Sequence, residues 1–174
     1  SFRGIEGMQS LRFLHAYNIP RVNDLAPLGK LTELRELDLQ MSWATTKKLS
    51  FKTLSPLGRL AQLRLLDLRG VDTDDDSLRP LGSLKKLKSL FPCHLGMPIE
   101  ELAYLAAVLN RTLSKEDRLF ATKPIDNPHK TWMCKKCGGP PVQLIGRIGK
   151  RYQWKACPVC ETALIAEREA SFAK

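Results

Sequence analysis

The chain has 174 residues, 43% of them apolar, and a formal net charge of +10. This length allows one or two domains with a hydrophobic core, and no apolar run reaches the roughly 18 to 20 residues of a membrane span, so we expect no membrane partner. The charge is uneven, because residues 1–121 carry 18 basic and 14 acidic residues whereas residues 122–174 carry 10 basic and 4 acidic.

Two similar stretches dominate the first half of the chain. They read LTELRELDL at Leu31–Leu39 and LAQLRLLDL at Leu60–Leu68, preceded by NDLAPLGK and KTLSPLGR. Leucine takes the first, fourth, seventh and ninth positions, which neither a helix nor a strand produces alone. The pattern is typical of a repeat in which a turn with apolar residues at every third position leads into a short L-x-L strand.

Alignment of the leucines predicts four strands, at Leu11–Ala16, Leu34–Leu39, Leu63–Leu68 and Leu87–Pro92. Pro92 places the last strand at the edge of the sheet, because proline cannot donate a hydrogen bond to a neighbouring strand. The turn pattern is already present at the first residues of the chain, so we expect the array to start in mid-repeat.

The repeats resemble the internalin-type class of bacterial leucine-rich repeats, on the pattern xDLxPLxxLxxLxxLDL over roughly residues 1–95. The resemblance implies an α/β solenoid with a parallel sheet on its concave face and the binding of another protein there. The family usually has Asn three residues after the last strand leucine. This chain has Ile19, Ser42, Val71 and Leu95 there, so we expect its loops to be bonded differently.

Alternate residues of each strand are predicted to point out of the concave face. Aromatic and apolar side chains directed at solvent are typical of a protein-binding surface. We predict the following protein-binding residues: Phe13, His15, Tyr17, Glu36, Asp38, Leu65, Asp67, Arg69 and Phe91. The alternative is that another segment covers Phe13 and Phe91.

Residues 98–122 are predicted as a helical cap on the repeats, which occupy residues 1–97. Pro98 suits a first helical turn, and apolar residues then recur on one helical face, at Ile99, Leu102, Leu105, Ala106 and Leu109. Ser114 with Asp117 predicts the start of a second short helix. Two prolines and an Asp-Asn turn predict a linker at residues 123–130, followed by a small β module at residues 131–174.

Four of the five cysteines form two C-x-x-C pairs in that module, at Cys134, Cys137, Cys157 and Cys160. Two stretches of strand character flank Gly149-Lys150, which predicts a β-hairpin that brings the pairs together. Four thiolates in this arrangement suit tetrahedral zinc. In a chain without a signal peptide, this spacing also indicates a reducing compartment, and we expect a cytoplasmic protein.

The module resembles a zinc ribbon over roughly residues 131–166, with Glu161 where that family often has glycine. We predict one zinc ion per chain with a structural role, because four cysteines close the coordination shell. Iron and two disulfides are the alternatives. The three histidines are scattered, and neither a phosphate-binding loop nor a dinucleotide-binding motif is present, so we predict no enzyme.

The sequence thus favours a non-enzymatic module that binds a protein partner through leucine-rich repeats and carries a structural zinc ribbon. One alternative is nucleic-acid binding by the basic residues of the ribbon, which are Lys135, Lys136, Arg147, Lys150, Arg151 and Lys155. Tyr152 and Trp154 would then be available to stack on bases, unless the two rings pack together as the core of the module. A third reading is a regulatory fragment of a larger enzyme.

Overall fold

The computed structural model describes residues 2–19, 22–41, 49–92, 97–148 and 153–174. Its strands and helices are, in chain order, β1 (Phe13–His15), β2 (Glu36–Asp38), β3 (Leu49–Phe51), β4 (Leu65–Asp67), β5 (Val71–Thr73), β6 (Ser89–Phe91), α1 (Ile99–Leu109), β7 (Thr122–Pro124), β8 (Val142–Leu144), β9 (Lys155–Ala156) and α2 (Thr162–Phe172). The chain packs as two compact units, Ser1–His94 with Tyr104–Arg118, and Leu95–Ala103 with Leu119–Lys174.

The first unit contains a four-stranded parallel sheet in the order β1-β2-β4-β6. The pairing is in register, so that Phe13, Glu36, Leu65 and Ser89 lie side by side in successive strands. All four strands coincide with the four that the leucine alignment predicts. Pro92 directly follows β6. Strand β6 lies at the edge of this sheet, as Pro92 predicts.

Short 3₁₀ turns lead into each of these strands, at Ile5–Gly7, Leu28–Lys30, Ser55–Arg59 and Arg79–Ser83. In the second repeat the N–H groups of Leu28, Leu31 and Leu34 each donate to the carbonyl three residues earlier, at 2.9, 3.0 and 3.0 Å. The same series of bonds begins at Phe2, Leu54 and Leu78 in the other repeats. The three-residue leucine spacing is therefore the period of the turns themselves.

The core of the first unit consists of these leucines. Leu37 and Leu66, at the centres of β2 and β4, are fully buried, as are the leucines of the turns before them. In β2 and β6 a buried central residue lies between flanking residues that reach the surface, as a pleated strand with one covered face requires. In β4 the flanking Asp67 is buried as well, and in β1 the central Leu14 is half-buried. The mixed α/β repeat fold with parallel strands is therefore the one expected from the leucine pattern.

A second, two-stranded parallel sheet pairs β3 with β5, and the sequence analysis missed it. Leu49, Phe51 and Val71 are buried, whereas Ser50 between them is exposed. Val71 stands where related repeats carry Asn, and its neighbour Gly70 accepts a hydrogen bond from Leu49 N–H at 3.4 Å. Here pairing between β3 and β5 satisfies backbone groups at the position where the internalin-type pattern has Asn.

The segment after the last repeat takes the place of a further repeat. A Cβ on Gly29 or Gly58 would meet Pro56 O at 2.8 Å or Pro80 O at 2.7 Å in the next repeat, and one on Gly82 would meet Tyr104 Oη at 2.5 Å. Tyr104 of α1 therefore fills the position that a following proline would occupy. Ser114 N–H also donates to Lys88 O at 2.8 Å, which continues the bonds between successive strands.

Within the helical cap predicted at residues 98–122, the first helix is present as α1, which begins at Ile99 and ends at Leu109. The apolar residues predicted for its inner face are all buried. The predicted second helix at Ser114 is wrong, because Ser114 Oγ donates to Asp117 Oδ2 at 2.9 Å within a tight turn. Such local side-chain bonds compete with helix formation.

The second unit contains an antiparallel sheet in the order β7-β8-β9, with α2 after it. Strand β7 lies where the sequence suggests the start of a linker, and neither β7 nor α2 was predicted. The division into repeats, cap, linker and ribbon at residues 97, 122 and 130 stays a prediction. Among the residues that the structure describes, no helix is long and apolar enough to cross a membrane.

The alternation in the sheet can be tested with two neighbouring leucines. Leu66 is fully buried and Leu65 is half-buried on the opposite face of β4. We expect Leu66→Ala to lower the free energy of unfolding by about 2 to 5 kcal/mol, because it leaves a cavity. Leu65→Ala should lower it by about 1 kcal/mol or less. Urea denaturation followed by circular dichroism measures both, and equal losses would contradict the alternation.

Candidate metal centre and strand face

The first cysteine pair lies in a tight turn before β8. Gly138 N–H donates to Cys134 O at 2.8 Å, and Cys134 N–H donates to Gly139 O at 3.0 Å. Gly138 has a φ of 72°, in the left-handed region where a side chain is strained. Gly139 N–H points at Cys137 Sγ, 3.4 Å away. The turn therefore holds both sulfur atoms on one side and directs a backbone donor at one of them.

The second pair lies in a turn between β9 and α2. Cys160 N–H donates to Cys157 Sγ at 3.4 Å, as Gly139 does in the first turn. Glu161 closes this turn from both sides, since its N–H donates to Cys157 O at 2.9 Å and its Oε2 accepts from Cys157 N–H at 2.8 Å. Its φ is −128°, so no glycine is needed at this position.

The antiparallel pairing of β8 with β9 brings the two turns together. Val142 pairs with Ala156 and Gln143 with Lys155, as the predicted hairpin requires. The turn predicted at Gly149-Lys150 lies outside the described residues. The hairpin thereby joins two cysteine pairs that are about 20 residues apart in the chain, and Cys137 Sγ lies 3.5 Å from Cys157 Sγ.

The four sulfur atoms all lie within 4.8 Å of one another. Tetrahedral coordination with Zn–S bonds of about 2.3 Å would separate the sulfurs by about 3.8 Å, so the cluster is compatible with a metal ion. All four described cysteines are free thiols, which does not match the disulfide alternative. The backbone N–H groups of Gly139 and Cys160, which point at the sulfurs of Cys137 and Cys157, would stabilise the negative charge of metal-bound thiolates.

The thiols differ in acidity before any metal binds. The backbone N–H groups of Cys137 and Lys136 lower the pKa of Cys134 to about 6. The hydrogen bond with Cys137, together with burial, raises the pKa of Cys160 to about 12. The first proton therefore leaves from Cys134, and the negative charge on that thiolate then opposes the later ionisations.

Two tryptophans and three lysines surround a surface cavity of about 500 Å³ beside the cysteines. Trp132 and Trp154 meet edge to face with their ring centroids 5.2 Å apart, and Trp132 is 39% exposed. Lys155 Nζ lies 5.0 Å from the Trp154 ring centroid, and Lys135 and Lys136 are exposed at the rim. The sequence instead predicts that Trp154 packs with Tyr152. The contact between Trp132 and Trp154 joins residues that are distant in the chain, and no local pattern indicates it.

Among the other predicted nucleic-acid residues, Arg147 does not line this cavity. Arg147 is half-buried, and its backbone N–H donates to Met97 O at 2.8 Å. Lys150, Arg151 and Tyr152 lie outside the described residues. The described part of the predicted basic cluster therefore consists of Lys135, Lys136 and Lys155 around the cavity.

The predicted protein-binding residues form one surface on the first unit, which we call the strand face. Parallel pairing aligns Phe13, Glu36 and Leu65 in one row and His15, Asp38, Asp67 and Phe91 in the next. Phe13 is 54% exposed and Tyr17, two residues after β1, is 63% exposed. The alternative that another segment covers Phe13 therefore finds no support among the described residues.

Asp67 is an exception on this surface, because it is only 3% exposed. Its Oδ2 accepts from Arg69 Nη2 at 2.7 Å and from Gln40 Nε2 at 3.0 Å. This ion pair raises the pKa of Arg69, and the Arg69 guanidinium also lies over the Phe91 ring, 4.8 Å from its centroid. Asp67 thus positions Arg69, and its own role as a binding residue stays a prediction.

Comparison with known proteins adds little beyond this geometry. The chain matches no protein-family model, and no curated protein matches it. Among solved structures it is similar to an internalin from Listeria monocytogenes str. 4b F2365, with 22% sequence identity and a TM-score of 0.48. The match covers 64% of this chain and 31% of that protein, so this chain spans about a third of its length.

The thiol pKa values predict how metal affinity depends on pH. Binding through four thiolates must displace the proton of Cys160 at any pH below about 12, and also that of Cys134 below about pH 6. We expect the apparent affinity for Zn²⁺ to rise with pH and to fall more steeply below pH 6. Competition with a chromophoric chelator between pH 5 and 8 measures this, and a pH-independent affinity would contradict coordination by these thiols.

Proposed function

We propose that the chain is a non-enzymatic protein-interaction module. The first unit binds a protein partner on the strand face, and a zinc ion at the four cysteines stabilises the second unit. The observation that carries the proposal is the exposure of Phe13 and Tyr17 beside an ordered set of charged side chains. Exposed aromatic rings next to fixed polar groups are the usual composition of a binding hot spot.

The polar groups of the strand face support the same function because they are already held in place. His15 Nδ1 lies 3.4 Å from Asp38 Oδ2, and Gln40 Nε2 donates to both Asp38 and Asp67, at 2.9 and 3.0 Å. Side chains ordered before binding lose less conformational entropy when a partner arrives. The strand face thus combines apolar contact area with an oriented polar network.

Removal of the exposed rings tests the strand face. We expect Phe13→Ala with Tyr17→Ala to weaken partner binding at least about tenfold, because aromatic hot spots each contribute about 1 kcal/mol or more. Thermal stability should hardly change, since both rings are exposed. The measurement is quantitative affinity purification, followed by direct titration of the enriched protein in purified form.

Met8→Ala provides the matched control for that experiment. Met8 is 57% exposed in the same unit but follows a 3₁₀ turn and does not belong to the strand face. Its loss should leave partner binding unchanged. Equal binding by the double variant and the wild type, or a large loss of stability in the double variant, would refute the role of the strand face.

Zinc is the metal that best suits the donor set. Four cysteine thiolates favour zinc or iron over harder cations, and the closed shell leaves no position for a substrate. The exposed lysines Lys135 and Lys136 flank the site and would offset the formal charge of −2 of four thiolates with Zn²⁺. A closed site of this kind supports a structural role, worth about 10 kcal/mol to folding.

Metal content and a cysteine variant test this part of the proposal. We expect about one zinc per chain after purification under reducing conditions, measured by elemental analysis. Cys157→Ser should lose the metal and unfold the second unit, while hydrogen exchange in β1, β2, β4 and β6 stays slow, because the leucine core contains none of the four thiols. Cys93→Ser, which changes the cysteine outside the two pairs, should retain the metal. Iron in place of zinc, or no metal, would contradict the assignment.

Nucleic-acid binding is a second candidate, which the cavity beside the cysteines favours. Partly exposed Trp132 and the cations of Lys135, Lys136 and Lys155 offer a stacking surface and phosphate contacts. Lys155 is already engaged, since its ammonium donates to Trp132 O at 3.4 Å. The contacts left to a nucleic acid are therefore few, so protein binding remains the first proposal.

The second candidate requires salt-dependent binding of single strands. If it holds, the zinc-loaded chain binds a 20-nucleotide oligonucleotide with micromolar affinity at low salt, and the affinity falls steeply as salt rises. Lys135→Glu with Lys136→Glu should then abolish binding, whereas Lys30→Glu with Arg59→Glu in the first unit should affect it much less. Fluorescence anisotropy measures this, and absence of binding at low salt would exclude the candidate.

A further inference from the structure

Each repeat of the first unit carries a basic residue at the same position, directly before its strand. We call Arg12, Arg35, Arg64 and Lys88 the basic row. The backbone N–H of each member donates to the carbonyl of the preceding member, at 2.8 Å from Arg35 to Arg12, 2.7 Å from Arg64 to Arg35, and 2.8 Å from Lys88 to Arg64. Four cations are therefore attached to directly adjacent points of the sheet, at its amino-terminal edge.

This row is electrostatically unfavourable by itself. Neighbouring strands lie about 4.8 Å apart, and like charges on adjacent strands destabilise a sheet. Arg12, Arg64 and Lys88 are exposed and Arg35 is half-buried. Within the described part of the chain, no acidic side chain forms an ion pair with any of the four. The row therefore presents positive charge without a counter-charge from the described residues.

The carboxylates of the adjacent strand face, in contrast to the cations of the basic row, have side-chain partners. Asp67 is bonded to Arg69 and Gln40, Asp38 to Gln40 and His15, and Glu36 lies 4.0 Å from His15. Among the described residues, none of them forms an ion pair with a member of the basic row. These carboxylates therefore contact Arg69, Gln40 and His15 within the strand face, and of these partners only Arg69 is a permanent cation. The cations of the basic row are left for an external group.

We propose that the basic row binds an acidic, extended segment of the protein partner, which runs across the four strands. The proposal rests on the proposed function, because it specifies the chemistry of the partner at the edge of the strand face. Arginine at three of the four positions suits carboxylates, which it binds in a bidentate manner.

The dimensions of the row agree with a short peptide. Three spacings of about 4.8 Å make a row of about 14 Å, which an extended chain covers with four to five residues at about 3.3 Å each. The row ends at the segment after the last repeat, because Ser114, which donates to Lys88 O, is the next residue in the same bonded series. Its cationic part therefore has a defined length.

A protein segment fits this edge better than a nucleic acid. Glu36 and Asp38 lie within a few residues of the row in the same strand, well inside the screening length of about 8 Å at physiological salt. A uniform polyanion would place phosphates near these carboxylates as well as near the cations. A peptide can instead place apolar or basic side chains over the strand face and carboxylates over the row.

The experiment uses the full zinc-loaded chain and three labelled probes. They are a twelve-residue peptide that alternates glutamate with alanine, its lysine counterpart, and a twelve-nucleotide oligothymidylate. Fluorescence anisotropy at low salt should show binding of the glutamate peptide, and Arg64→Gln with Lys88→Gln should weaken that binding roughly tenfold, since it removes two charged contacts.

Lys30→Gln with Arg59→Gln is the matched control, because it removes the same charges from exposed residues in the 3₁₀ turns of the same unit. We expect it to change the affinity for the glutamate peptide less than twofold. Equal effects of the two double variants, or no binding of the glutamate peptide at low salt, would overturn the proposal. Binding of the oligothymidylate that depends on Arg64 and Lys88, without binding of the peptide, would overturn it in favour of nucleic acid.

Failure of the basic row to bind an acidic segment can be distinguished from failure of the strand face to bind a protein partner. If the row variant leaves peptide affinity intact while Phe13→Ala with Tyr17→Ala still abolishes partner binding, the acidic segment is refuted and the strand face stands. If the aromatic variant binds the partner as the wild type does, the strand face is refuted, whatever the peptide shows.

Discussion

The first unit depends on one series of hydrogen bonds, from each turn leucine to the leucine three residues before it. In the second repeat these bonds run from Leu28 to Leu25, from Leu31 to Leu28 and from Leu34 to Leu31. A 3₁₀ turn has about three residues per turn, so side chains three apart lie above one another and enter the same core. The strand then takes over with a period of two, which keeps Leu37 and Leu39 buried. Each repeat is therefore defined by a change from the three-residue period of the 3₁₀ turn to the two-residue period of the strand.

The same constraint explains why this part of the fold could be predicted from the sequence. Burial of leucine at those positions admits only one register, because a shift by one residue would expose Leu37 and bury Glu36. The cluster of four cysteines was predictable for a similar reason, since two C-x-x-C turns joined by a hairpin leave the four sulfurs little freedom. In both cases the signal lies in residues close in sequence.

The elements that sequence reasoning missed depend on contacts that are distant in sequence. Strands β3 and β5 are three residues each, and only their pairing with one another makes them strands. Helix α2 contains Arg168, a charged residue that is 1% exposed and whose guanidinium donates to the carbonyls of Ile145 and Gly146. A charged residue in a polar sequence predicts an exposed position. No local pattern could have indicated that this one reaches buried carbonyl oxygens more than 20 residues away.

The two units differ in how they obtain their stability, and this difference assigns their roles. The first unit buries a leucine-rich core that does not depend on the strand face or on the basic row. These surfaces can therefore carry exposed aromatic rings, bonded carboxylates and, in the basic row, cations without an ion-pair partner among the described residues. The described core of the second unit is smaller, and consists of Leu144, Ile145 and Ala156 of the hairpin, buried together with Met97, Ile99, Leu102, Leu119 and Cys157. A core of that size is marginal, and a small module of this kind usually requires a metal or disulfides. The four thiols are compatible with a metal ion that would serve that purpose. In the described part of the unit, the exposed side chains beside them include Lys135, Lys136 and Trp132. The first unit offers a whole sheet edge and face of ordered side chains, and for this reason we place the proposed binding surface on the repeats.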